Sequence, residues 1–117
     1  MVVTKFELNL PTADIKQCLD FYVNGLLFTK VFEFPEYCTV SFDSILLSFW
    51  KQHEERVRAH RGLFSFHFRV RDIHKYFDQL KAAGRVQFEQ ELELMQPGVW
   101  QFNLRDCNAY RLGFAMP

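Results

Sequence analysis

What this sequence lacks narrows its function before any motif is read. It has no excess of either charge: 14 Lys plus Arg balance 14 Asp plus Glu, a formal net charge of zero. Without a basic surplus, neither nucleic acid nor an anionic membrane is indicated as a partner. No apolar run approaches the length that spans a bilayer as a helix. The first residues, MVVTKFELNL, lack the apolar core of a signal peptide. Cysteine is scarce: Cys18, Cys38 and Cys107 are odd in number and form no CxxC pair. Free thiols in a reducing, cytoplasmic setting are expected, with the cysteines filling the core rather than binding metal.

Phenylalanine, by contrast, is abundant, at 14 of 117 residues, so an aromatic core is expected. The length is that of one domain, residues 1–117, and such a chain can bury most of the apolar surface its unfolded form exposes.

The stretch LFSFHFRVRDIHKYFDQLKAAG shows how the chain is organised. Phe64, Phe66, Phe68 and Val70 alternate with Ser65, His67 and Arg69, the pattern of a strand with one apolar side. At Asp72 the period changes. Ile73, Tyr76, Phe77 and Leu80 follow helical spacing, with Asp72 placed to cap the start and Gly84 to stop the end. The same unit occurs earlier. Phe6, Leu8 and Leu10 alternate with Glu7 and Asn9; then Asp14 precedes Ile15, Cys18, Leu19 and Tyr22. An internal repeat of this kind decides architecture.

Read in order, Val2 to Leu10 is a strand and Asp14 to Asn24 a helix ended by Asn24-Gly25. Phe28 to Phe34 is a strand, Pro35-Glu36 a turn, and Tyr37–Phe42 with Ile45–Trp50 a hairpin around Asp43-Ser44. Residues 51–62, charged throughout, read as an exposed linker or, alternatively, a short surface helix. The second unit repeats the first, with Val86–Glu89 a short strand and Gln90–Gly98 a loop. Val99–Arg105 and Tyr110–Phe114 are its last strands. The expectation is one α+β domain of two βαβββ modules, about 1–50 and 63–117. Their strands form a curved mixed sheet, a cup with the helices on its outer face.

The apolar strand residues, among them Phe6, Leu8, Leu10, Phe64, Phe66, Phe68, Tyr110, Leu112 and Phe114, are expected to face the helices. The other side then carries Glu7, Asn9, Ser48, Ser65, His67, Arg69, Gln101, Asn103 and Arg111. This set is either a flat solvated surface or, if the twisted sheet curls, the lining of a cup. Concave sites of mixed polar and aromatic lining commonly bind ligands.

Three segments now carry a resemblance over essentially the whole chain: ADIKQCLDFYVNGLLF, FHFRVRDIHKYFDQLKAAG and PGVWQFNLRDCNAYRLGF. In this order and at these separations they resemble the vicinal oxygen chelate superfamily of glyoxalase I, bleomycin-resistance proteins and extradiol dioxygenases. The resemblance implies a homodimer. In the family's enzymes it implies a divalent metal held by the first and last strands of each module. Those positions fall on Glu7, Ser48, Ser65 and Gly113, where only Glu7 is a strong donor. No cofactor is therefore expected, although His67 could supply a shifted ligand beside Glu7. The family's DPDGN turn reads here Asp106-Cys107-Asn108-Ala109-Tyr110, and Asn108 is expected to take its left-handed position.

Two functions of different class follow. The first is a metal-free binder of small molecules. Glu7, Asn9, His67, Arg69 and Arg111 would give polar contacts, and Trp50, Trp100 and Phe49 stacking surface. A mixed or slightly basic lining favours a neutral or anionic ligand. The second is a lyase, isomerase or dioxygenase-like enzyme, with an unusual metal set or with Glu7 or His67 as general base and Arg69 stabilising an oxyanion. A scaffold without a ligand is a third reading, which a polar concave face weighs against.

Overall fold

The computed structural model describes residues 1–60 and 64–117. The end of the charged run and the start of the strand at Leu63 lie outside the described residues. The chain divides into two compact units, residues 1–59 and 60–117.

In the first unit the elements are β1 (Phe6–Thr12), α1 (Ile15–Leu19) continuing as a π-helix (Asp20–Gly25), β2 (Thr29–Phe34), β3 (Tyr37–Phe42) and β4 (Ile45–Lys51). The charged run follows as α2 (Glu54–His60). In the second unit they are β5 (Ser65–Arg69), α3 (Ile73–Ala83), β6 (Phe88–Met95), β7 (Val99–Arg105) and β8 (Arg111–Met116). Each unit is a βαβββ module with an open four-stranded mixed sheet, ordered β1-β4-β3-β2 and β5-β8-β7-β6. The first strand of each runs parallel to the last, and the remaining pairs are antiparallel. The α+β class and the repeat read from the sequence are the architecture observed.

The repeat holds at the level of single pairs. Asn9 pairs with Ser48 and His67 with Gly113; Thr39 pairs with Ser48 and Asn103 with Gly113. Ser48 and Gly113 are therefore equivalent positions, each on the strand that joins the edge strand to the hairpin.

Alternation builds both cores as expected. In the first, Leu10, Cys38, Val40, Leu47 and Phe49 face the helix and are buried with Ile15, Cys18 and Tyr22. The Tyr22 ring lies 4.9 Å from Phe49 and 5.4 Å from Phe28. In the second, Phe102 and Phe114 stack at 5.0 Å, and Tyr76 and Phe77 of α3 close over them at 5.3–6.0 Å. Each buried phenylalanine contributes roughly 1.5–3 kcal/mol. The edge strands are covered less. Phe6 is exposed, while Phe64, Phe66 and Phe68 are half-buried against Tyr110 and Phe114.

Several boundaries differ from the sequence reading. The first helix is not α-helical throughout: Leu26 N–H donates to Phe21 O at 2.9 Å, a five-residue step. Beyond that wide turn Phe28 packs on Tyr22, and Leu26, Phe28 and Tyr22 are all buried. The charged run takes its helical alternative, α2, with Val57 as its buried residue and Arg58 paired to Glu54 at 3.0 Å. Residues 90–95, expected in a loop, continue β6. There Gln90 and Leu92 are half-buried between exposed Glu89, Glu91 and Glu93, and two register shifts absorb the irregularity. β1 runs on through Pro11 to Thr12, because an edge strand tolerates a missing N–H.

Candidate functional site

The face of the first sheet turned away from α1 carries Glu7 and Asn9 on β1, Ser48 and Trp50 on β4, Tyr37 and Thr39 on β3, and Phe32 and Phe34 on β2. Two rows cross it. One is a chain of hydrogen bonds. Ser48 Oγ donates to Glu7 Oε1 at 2.6 Å, and Thr39 Oγ1 stands 2.7 Å from both Ser48 Oγ and Tyr37 Oη. Ser48 and Thr39 are buried, so these bonds satisfy hydroxyls that water does not reach. The carboxylate end makes the Glu7 bond the strongest of the chain.

The second row is aromatic. Trp50 packs on Tyr37 at 4.3 Å, Tyr37 on Phe34 at 6.1 Å and Phe34 on Phe32 at 6.3 Å. Phe32, Phe34 and Trp50 are nevertheless 52%, 54% and 47% exposed. Trp50 Nε1–H donates to Asn9 Oδ1 at 3.0 Å, which fixes the indole beside the polar row. Exposed rings held in register make a flat apolar platform with hydrogen-bonding groups along its margin.

The corresponding face of the second sheet carries Ser65, His67 and Arg69 on β5, Arg111 and Gly113 on β8, Gln101 and Asn103 on β7, and Gln90 on β6. Ser65 Oγ lies 3.3 Å from His67 Nε2. Gln101 Nε2 donates to Asn103 Oδ1 at 3.0 Å, and Asn103 Nδ2 to Gln90 Oε1 at 3.1 Å. Arg111 is committed elsewhere: it pairs with Glu89 at 3.0 Å, as Arg105 does at 2.6 Å. Arg105, and beyond it Arg111, hold the Glu89 carboxyl below the usual carboxylate range.

The expected site residues thus fall into two groups by module. Glu7, Asn9, Ser48 and Trp50 share one face of the first sheet. Ser65, His67, Arg69, Asn103 and Arg111 share one face of the second. Trp100 and Phe49 do not join them. Trp100 lies on the helix side of β7, its ring 4.6 Å from His74 of α3, and Phe49 is buried under Tyr22. Odd and even positions of one strand point to opposite sides, which separates Trp100 from Gln101 and Phe49 from Trp50. Tyr37, Thr39, Phe32, Phe34 and Gln90 were not singled out from the sequence. The alternation of Tyr37 and Thr39 with buried Cys38 and Val40 is the signal that marks the first two.

The family model for the glyoxalase/bleomycin resistance protein/dioxygenase superfamily matches residues 6–113. The chain belongs to this superfamily. Solved structures share its fold at low identity. A glyoxalase/bleomycin resistance protein/dioxygenase from Alicyclobacillus acidocaldarius is 22% identical, with a TM-score of 0.80 over 96% of this chain and 89% of that one. TioX from Micromonospora sp. ML1 is 17% identical, with a TM-score of 0.80 over 97% and 98%. A bleomycin-binding protein complexed with bleomycin is 20% identical, with a TM-score of 0.72 over 100% and 99%. Among curated proteins none matches the sequence significantly.

At the positions where the sequence resemblance would place a metal, the residues present do not fit a divalent ion. Glu7 is bonded to Ser48, Ser65 to His67, and Gly113 offers no donor. Hydroxyls are poor ligands beside imidazole and carboxylate. Among the described residues no three His, Cys, Asp or Glu side chains cluster.

Proposed function

We propose that this member of the superfamily binds a small, neutral organic molecule without a metal ion. The observation that carries this reading is the exposed platform of Trp50, Tyr37, Phe34 and Phe32 beside the Glu7–Ser48–Thr39 chain. A planar guest laid on these rings buries apolar area, while Asn9 and Glu7 orient its polar groups. Binding needs only a shaped surface, so a weak donor set at the metal positions costs nothing. A relative that holds bleomycin supports the same use of the fold. The protein acts in the cytoplasm as a homodimer, a reading supported by three free cysteines and by β2, an edge strand exposed along its length.

The test is a panel of planar polar compounds followed by Trp fluorescence and thermal shift. A ligand is expected to quench Trp50 and raise the melting temperature, and Trp50→Ala is expected to weaken it at least tenfold. Metal analysis of the purified protein, after exposure to Ni, Zn, Mn and Fe, is expected to find no stoichiometric ion. A tightly held ion lost on Glu7→Ala would overturn the proposal.

A further inference from the structure

Gly113 stands in the middle of β8, paired on both sides and buried. A glycine there weakens a strand and commonly marks a close approach by another group. Here that group is His67. A Cβ on Gly113 would lie 2.7 Å from His67 Nδ1, 3.0 Å from His67 Cε1 and 3.0 Å from Asn103 Oδ1. The imidazole therefore lies across β8 in the volume a side chain would take. Its other nitrogen is held at 3.3 Å by Ser65 Oγ.

The groups next to the ring are uncharged carboxamides. Gln101 donates to Asn103 and Asn103 to Gln90, which leaves Gln90 Nε2 on the thioether of Met95 at 3.3 Å. A thioether is a weak acceptor, so a carbonyl would replace it readily. Donors and acceptors alternate along this row, and the row itself carries no charge.

We propose that Gly113 seats His67 on the second sheet, and that His67, Asn103 and Gln90 bind the edge of a neutral carboxamide, lactam or imide. This deepens the small-molecule reading and rests on it, but uses different residues from the aromatic platform. Gly113 is the positioning residue; His67 is the group that meets the ligand. The position of a missing donor is thereby converted into the seat of an imidazole, beside a row of uncharged carboxamides that matches C=O beside N–H.

The experiment is NMR of the labelled protein, following the His67 ring, the Asn103 and Gln90 side-chain amides, and the Trp50 indole. The probes are succinimide and acetate. Succinimide is expected to shift the His67, Asn103 and Gln90 signals saturably, and acetate to bind at least tenfold more weakly there. Gly113→Ala is expected to move the His67 ring signals and weaken succinimide at least tenfold, with the Trp50 indole unmoved. If Gly113→Ala fails to fold, the exposed His67→Ala carries the test: loss of succinimide binding with folding intact supports the site. An unchanged His67 ring in Gly113→Ala, unchanged succinimide affinity in His67→Ala, or acetate binding as tightly as succinimide overturns it. A compound that binds at Trp50 while succinimide leaves His67 untouched would sink this inference and leave the broader reading standing.

Discussion

At Leu27 and Ala109 the backbone takes φ of 65°, the left-handed region that side chains resist. The second of these positions is glycine in the DPDGN turn this chain resembles. At the second, the left-handed residue is Ala109 and not Asn108. Asp106 explains this: its Oδ1 accepts from the N–H groups of Asn108 and Tyr110, each at 2.8 Å, and so fixes the turn around it. A left-handed L-residue costs roughly 1–2 kcal/mol, partly offset when glycine frees the unfolded chain. Leu27→Gly and Ala109→Gly are each expected to stabilise the protein by about 1 kcal/mol, read as a higher urea midpoint at unchanged slope. Lower midpoints in both would show that the surrounding packing, and not the backbone, sets these two conformations.

At the scale of the element, the two helices share a sequence signal and differ in physics. Asp-Ile opens each. Asp14 has extended dihedrals and accepts from Gln17 N–H at 3.0 Å, an ordinary cap. Asp72 sits at φ 52° and makes no side-chain cap bond. Removing Asp14 is therefore expected to cost about 1 kcal/mol as Asp14→Ala, while Asp72→Gly is expected not to destabilise at all. Chemical denaturation of the two variants checks the contrast, and equal losses would refute it. Sequence periodicity could announce that a helix starts here but not how its first turn is closed. The same limit explains β6. Its charged residues read as loop because alternation is hidden when the exposed side chains are glutamates and the half-buried ones include a glutamine. Strands whose apolar residues alternate cleanly, such as β3, β4 and β7, were legible almost to the residue. The polar face of each sheet was legible only in part: Glu7, Asn9, Ser48, Ser65 and His67 were read, while Tyr37, Thr39, Phe32, Phe34 and Gln90 were not, and the bonds within it, from Ser48 to Glu7 or His67 over Gly113, depend on distances no pattern encodes.

At the scale of the molecule, the repeat preserved the frame and let the two polar faces diverge. Thr39 and Asn103 are equivalent, as are Ser48 and Gly113, and Phe32 and Gln90. One face became hydroxylic and aromatic, the other a row of carboxamides around an imidazole. The whole chain balances at pI about 6.9. A protein near zero net charge loses the repulsion that keeps copies apart. Solubility in low salt is therefore expected to be lowest close to pH 7 and to rise on either side of it. A minimum displaced by a unit or more would mean that the exposed rings of β2 and Trp50, and not charge, govern how copies of this chain meet.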